Sequence, residues 1–106
     1  MPVNEPNVRK GDTFIVTRDL PTQGLVHWQA PLTTGFACVL PAGTVLVVYS
    51  TPTPGSTFLS CTPVESAEAA IESRVVPEKD RNADGYAGYS FVLPVRLIGS
   101  GLQRCP

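Results

Sequence analysis

Short apolar runs alternate with polar residues along this chain, and proline interrupts the runs about every ten residues, at positions Pro21, Pro31, Pro41, Pro52 and Pro63. Because proline costs about 3 kcal/mol in the interior of a helix, helices of ordinary length do not fit between these positions. Short strands separated by turn signals every 8–12 residues or so are typical of sandwiches and barrels. The pattern therefore predicts an all-β domain.

The strand candidates follow from the pattern inside each run. Residues 13–18 are rich in β-branched side chains, and Phe14 and Val16 would share one face of a strand there. Residues 45–49 are apolar at every position, which predicts the most buried strand. Further strands are expected at residues 36–40, 57–64, 89–93 and 102–105, with a turn at residues 40–44 and a bend at residues 94–98.

Three segments do not fit a simple strand pattern. Residues 19–34 are polar and rich in proline and glycine, which predicts one long loop, and loops of about 12–15 residues or more are usually functional or mobile. Residues 65–76 fit two structures, because their composition favours a helix whereas the alternation of Ala69, Ile71 and Ser73 favours a strand. We favour the strand. Residues 77–81 predict one helical turn that begins with a proline.

Length and charge narrow the class of protein. A chain of 106 residues has room for one domain, so residues 1–106 are expected to form a single unit, with residues 1–8 as a loose N-terminal segment. Eight basic and nine acidic residues give a net charge of −1, which argues against nucleic-acid binding. No apolar leader is visible, and the longest apolar stretch is far shorter than the ~20 residues of a membrane span. We therefore expect a cytoplasmic protein with no membrane partner.

The cysteines and the single histidine do not form a metal-binding pattern. Cys38, Cys61 and Cys105 are far apart in sequence, and His27 is the only histidine, whereas a structural zinc ion needs four ligands, usually in close pairs. We interpret the cysteines as buried or incidental thiols and expect neither a metal nor another cofactor. Cys38 and Cys61 would stay reduced in a cytoplasmic protein even if their strands were adjacent.

One stretch resembles a known fold. Residues 89–98, Tyr-Ser-Phe-Val-Leu-Pro-Val-Arg-Leu-Ile, are similar to the closing pattern of SH3-like barrels, in which an aromatic-rich strand leads into a 3₁₀ turn that starts at proline. Gly11-Asp12 and residues 40–44 resemble the segments before strands in small bacterial SH3-like proteins, and the sequence as a whole is similar to integron-type gene-cassette proteins of unknown function. The resemblance implies a small SH3-like barrel with a long first loop and one short helical turn.

The sequence departs from the SH3-like proteins whose ligands are known. Peptide-binding SH3 domains carry an acidic first loop and paired aromatic residues, but here the corresponding segment holds Asp19 without an acidic cluster, and its aromatic residues are Trp28 and the distant Phe36. The Val-Gln-Ile-Tyr signature of the plasmid-borne dihydrofolate reductases is also absent. Neither proline-rich recognition nor reductase activity is therefore implied.

The most interesting candidate for a binding site is the dipeptide His27-Trp28. An indole and an imidazole on a long loop can hold a ligand, because tryptophan is enriched at binding hot spots. Tyr86 lies between glycines and is a candidate for an exposed contact, so we predict that His27 and Trp28 face Tyr86 across a shallow groove. The competing interpretation is that Trp28 caps one end of the barrel and His27 is solvated.

The residues favour binding over catalysis. Nucleophilic catalysis needs a base beside the nucleophile, but no GxSxG motif is present and the cysteines lie in strand-like contexts. Asp80, Asn82 and Asp84 alternate as in a calcium loop, but Phe91 stands where the closing glutamate would be.

Two functions remain open, beside a third and weaker one, an inhibitor or antitoxin-like partner of another protein. The first is a non-catalytic module that binds a protein or a small molecule. The second is a homo-oligomer with a composite small-molecule site, enzymatic or not, between subunits, because small domains gain burial by association. For that oligomer the contact is expected at the edge after Thr51 or in the Tyr86 region.

Overall fold

The described part of the chain folds into one antiparallel sheet of seven strands. The computed structural model describes residues 8–29, 32–64, 68–81 and 85–105. The strands are β1 (Thr13–Val16), β2 (Leu20–Trp28), β3 (Thr33–Leu40), β4 (Val45–Val48), β5 (Phe58–Pro63), β6 (Tyr86–Pro94) and β7 (Leu102–Arg104), with one helix, α1 (Glu68–Arg74), and 3₁₀ turns at Glu78–Asp80 and Val95–Leu97. The strand order is β3-β2-β6-β5-β4-β1-β7. The predicted all-β class is confirmed.

All seven strands contribute to a single hydrophobic core, so the sheet bends around it. The buried side chains that the strands share are Phe14, Val16, Leu20, Val26, Phe36, Leu40, Leu46, Val48, Leu59, Cys61, Tyr89, Phe91, Leu93 and Leu102. Within the described ranges, however, β3 and β7 do not pair, and the expected barrel is therefore not closed. One reason is the length of β7, which has only three residues to offer a neighbour.

The strand patterns agree with the sequence in most places. Phe14 and Val16 are both buried on one face of β1, and Tyr89 and Phe91 are both buried on β6, as predicted. The expectation for residues 45–49 was wrong in part. Val45 and Val47 are only half-buried and Tyr49 is exposed, because β4 has one face in the core and the other on the outside of the sheet.

The long loop predicted at residues 19–34 is not present, because most of this segment is β2 and the start of β3. The reason is packing at Gly24, where an added Cβ would lie 2.4 Å from Cζ of Phe36, so the ring takes the space of a side chain. Pro21 is tolerated because β2 pairs with β6 only from Gln23 onwards. Continuing that register would place Pro21 opposite Pro94, and neither residue has an N–H to donate.

Residues 68–74 form a helix, so the preference for a strand in this region was wrong. Ile71 is 3% exposed and packs in the core, and its carbonyl accepts hydrogen bonds from the N–H groups of Val75 (2.8 Å) and Val76 (3.3 Å). The predicted helical turn is confirmed at Glu78–Asp80, with Pro77 immediately before it. No helix within the described residues is long and apolar enough to cross a bilayer.

The first and last strands are joined by a charged cluster as well as by pairing. Asp12 Oδ2 accepts hydrogen bonds from the backbone N–H of Arg9 (3.0 Å) and from Nη1 of Arg104 (2.6 Å). These two donors hold the pKa of the Asp12 carboxyl below its usual value of 3.8. The Arg104 guanidinium also lies 5.1 Å from the centre of the Phe14 ring, in cation–π geometry. Of residues 1–8, which were expected to form a loose segment, the structure describes Val8, and its side chain is buried in the core. Residues 1–7 lie outside the described residues.

Candidate binding site

Trp28 and Tyr86 meet where β2 ends and β6 begins. The pairing of these strands brings Trp28 opposite Tyr86 and His27 opposite Gly88, so Ala87 is an extra residue on β6 and forms a bulge. Gly88 has a φ of +150°, which glycine adopts without strain. Bulges commonly redirect side chains near functional sites.

Both aromatic rings are half-buried and held by interactions within the chain. The indole N–H of Trp28 donates a 3.0 Å hydrogen bond to the Thr34 hydroxyl, and the ring packs against the core. The Tyr86 ring lies 4.5 Å from that of Tyr89, tilted by 35°. Beside Trp28 is an open depression lined by Trp28, Gln29, Leu32 and Gly85. We call these four residues together with Tyr86 the aromatic site.

His27 belongs to a different depression from Trp28. It lies with Tyr49, Thr62, Ala87, Gly88 and Tyr89 around a cavity of about 240 Å³ on the other side of the bulge. The structure therefore brings Trp28 and Tyr86 together as strand partners, but it does not place His27 in the same groove. The imidazole Nε2 is instead 2.7 Å from Oγ of Ser90 and shares a hydrogen bond with it.

The histidine–serine pair was not anticipated from the sequence. A base within hydrogen-bond distance of a hydroxyl is the geometry of an activated nucleophile. Here, however, Ser90 is only 1% exposed, and no carboxylate among the described residues hydrogen-bonds to His27 to orient it. The arrangement is that of a structural pair, in which the serine fixes the imidazole. The sequence predicts a loop at residues 19–34, and a loop gives no indication that His27 lies on a strand next to that of Ser90.

Cys38 and Cys61 are free thiols that lie on strands that are not adjacent. Cys61 is fully buried on β5 and Cys38 is half-buried on β3, and β2 and β6 lie between these two strands. Burial raises the pKa of Cys38 to about 11 and that of Cys61 to about 12. Both thiols therefore stay protonated at neutral pH and are weak nucleophiles.

Acidic residues do not assemble a metal site in the part of the chain that the structure describes. No group of three or more His, Cys, Asp or Glu side chains is close enough to hold an ion there. Of the calcium-like triplet, Asn82 and Asp84 lie outside the described residues. Asp80 is buried in the 3₁₀ turn, its carbonyl accepts the Tyr89 hydroxyl (2.8 Å), and its Oδ2 has no hydrogen-bond partner among the described residues.

Comparison with family models, curated proteins and solved structures gave no match. The resemblance to SH3-like barrels and to gene-cassette proteins therefore stays a prediction from the sequence.

Proposed function

We propose that this protein is a non-catalytic interaction module whose aromatic site holds an apolar side chain of a partner protein. The observation that carries the proposal is the position of Trp28, the only tryptophan in the chain, at the rim of a depression beside a leucine, Leu32, that is 66% exposed. An indole in this position is a common anchor of protein interfaces.

The chemistry of the site favours an apolar ligand group. None of its five residues carries a charge, so they provide no ion-pairing partner for a phosphate or a carboxylate. The indole N–H is already bonded to Thr34, which leaves the ring faces as the contact surface. Because Trp28 and Tyr86 are fixed by the core and by Tyr89, binding requires little ordering of their side chains.

The remaining chemistry of the chain supports binding without turnover. The Ser90 hydroxyl is buried beneath the sheet surface, and the raised pKa values of Cys38 and Cys61 keep these thiols protonated, and so weakly nucleophilic, at neutral pH. Three free thiols are also compatible with a reducing compartment, which supports our proposal of a cytoplasmic location.

The proposal is tested with peptides selected on the folded protein from a random display library. We expect selected peptides to contain an aromatic or aliphatic anchor and to shift the fluorescence emission of Trp28 on binding. Trp28→Ala should weaken binding at least ~10-fold, measured by the anisotropy of a labelled peptide, because hot-spot tryptophans contribute more than about 1.4 kcal/mol.

A matched control is Phe58→Ala, since Phe58 is a 53% exposed aromatic residue on β5, outside the aromatic site. That variant should bind the same peptides with unchanged affinity. If Trp28→Ala unfolds at room temperature, Trp28 is a core cap and the proposal is wrong. It is also wrong if the library yields no peptide, or if both variants lose binding equally.

A further inference from the structure

The outer edge of β3 carries a row of backbone groups, and no strand of the described part of the chain lies beside them. The Trp28 N–H donates to the Leu32 carbonyl (3.0 Å), which identifies these two as a hydrogen-bonded pair of the β2–β3 ladder. Such pairs alternate along an antiparallel ladder, and the β2–β3 register has no shift. The N–H and C=O groups that point away from β2 are therefore those of Thr33, Gly35, Ala37 and Val39.

This edge lacks the features that normally protect an edge strand. Edges are usually short, charged, interrupted by proline or bulged, because an exposed row of N–H and C=O groups pairs with other chains. β3 has eight residues without a charge, a proline or a bulge, and Val39 is 52% exposed beside it. The other edge, β7, has three residues and ends in an arginine. The edge at β3 is therefore long and unprotected, whereas the edge at β7 is short and charged.

We infer that β3 pairs in antiparallel fashion with β3 of a second copy of this chain, across a two-fold axis at Phe36. Side-chain size along β3 is symmetric about that residue, with β-branched Thr33 and Val39 at the same distance on either side and the small Gly35 and Ala37 next to it. A two-fold interface uses the same patch on both subunits, so this symmetry places the β-branched residues opposite each other and the small residues opposite each other.

The register follows from the same symmetry. Thr33 lies opposite Val39 of the partner subunit, and Gly35 lies opposite Ala37 of the partner subunit. All four outward-facing residues then exchange both of their backbone hydrogen bonds, whereas a register shifted by two residues leaves an outward residue of each strand outside the ladder. The inference stands on the edge of β3 and does not depend on a ligand at the aromatic site. It replaces the segment after Thr51 as the expected contact, because β4 and β5 on either side of that segment are interior strands.

The first test is the solution mass by light scattering coupled to size exclusion, under reducing conditions. The expected result is a species of twice 11.3 kDa. Ala37→Pro removes an outward N–H that no described residue uses, so it should give a folded monomer with a dissociation constant at least ~10-fold higher. Ala37→Ser keeps the N–H and should remain dimeric. A monomer at about 100 µM wild-type protein overturns the inference and leaves the proposed function standing.

The second test reads the register and does not depend on how Ala37→Pro folds. In the inferred dimer Thr34 lies opposite Cys38 of the partner subunit in a non-hydrogen-bonded pair, with Cα atoms about 4.5 Å apart, which suits a disulfide. Within one chain the same two positions are four residues apart on an extended strand, about 13 Å, which is too far.

Mild oxidation of the Thr34→Cys variant, in a Cys105→Ser background, should therefore give a covalent dimer on a non-reducing gel. Adding Cys38→Ser should abolish that band. If no covalent dimer forms, or if the band persists after Cys38→Ser, the register is wrong.

Discussion

At Gly24 the absence of a side chain makes room for the Phe36 ring across the β2–β3 ladder. An added methyl group would lie 2.4 Å from Cζ and under 3 Å from both Cε atoms of that ring, which is itself packed edge-on against Phe91. A ring in the core cannot move away without displacing its neighbours. We therefore expect Gly24→Ala to lower the free energy of unfolding by about 1–3 kcal/mol, measured by urea denaturation.

Gly35→Ala is the matched control for this prediction. The added methyl group there would meet Nε2 of Gln23, the far end of a flexible surface side chain that can turn aside. The cost should stay within about 0.5 kcal/mol, as for other surface substitutions. Equal destabilisation by the two variants would mean that general strand propensity, and not the Phe36 ring, explains the glycine.

Residue-scale prediction from the sequence succeeded for side chains with one dominant role and failed for those whose role depends on a neighbour. The burial of Phe14 and Phe91 follows from alternation alone. Gly24 was interpreted as a loop signal because nothing nearby in the sequence shows that a ring covers it. The role of Ser90 could not be predicted for the same reason, since its hydrogen-bond partner His27 lies on another strand.

The helix α1 is held to the sheet chiefly by Ile71, its most buried apolar side chain. Ile71→Ala should destabilise the protein by about 2–5 kcal/mol in thermal or urea unfolding, because the cavity it leaves cannot collapse fully. Ser73 is exposed on the same helix, and its hydroxyl donates a local hydrogen bond to the carbonyl of Ala70 (3.1 Å), so Ser73→Ala should change stability by less than about 0.5 kcal/mol.

A second substitution distinguishes the helix from the strand that the sequence also allowed. In a strand Ala69 would share the buried face with Ile71, whereas in the helix Ala69 is exposed. Ala69→Lys should therefore be tolerated. A loss of stability as large as that of Ile71→Ala would contradict the helix.

A helix or strand could be predicted from the sequence where its hydrophobic positions fit only one period, that of a helix or that of a strand. Ile71 and Val75 are four residues apart, a spacing that suits both a strand, with its period of two, and a helix, with its period of 3.6. The sequence therefore could not decide between them. In residues 20–28 a proline and a glycine made a nine-residue strand look like a loop. Both residues are tolerated there because of the register of β2 with β3 and β6, which the sequence does not show.

On the scale of the whole molecule, Asp12, just before β1, and Arg104, on β7, join two strands that are distant in sequence but pair at one edge of the sheet, through an ion pair that depends on pH. The folded-state pKa of Asp12 is lowered, so its charge stabilises the folded state above the usual value of 3.8, and this contribution is lost as the pH falls through the folded pKa. We expect Asp12→Asn to lower the Tm at neutral pH, and the difference from the wild type to shrink as the pH falls below 3.8.

Glu78→Gln is the control for that experiment, because Glu78 is an exposed acidic residue in the 3₁₀ turn and is not part of the cluster formed by Asp12, Arg9 and Arg104. Its Tm should follow the wild type at every pH. A gap between Asp12→Asn and wild type that stays constant down to acid pH would show that the carboxylate charge is not what stabilises this end of the sheet.

The class of the fold was predictable from the spacing of prolines, but the arrangement of its strands was not. Local patterns identify strands, whereas the order β3-β2-β6-β5-β4-β1-β7 depends on pairings between distant segments. The open edges at β3 and β7 are a property of that order. Local sequence patterns could therefore not show that the barrel stays open, because closure depends on which strands pair.

The pairing of β1 with β7 sets the order in which the sheet can be completed during synthesis. Phe14 pairs with Arg104, so β1 lacks its β7 partner until residue 104 has left the ribosome. The β2–β3 hairpin, by contrast, joins neighbouring segments and can form much earlier, because closing a short loop costs less entropy than closing a long one. A nascent chain stalled just before β7 would therefore expose the backbone edge of β1 that pairs with β7, while the β2–β3 hairpin is already folded.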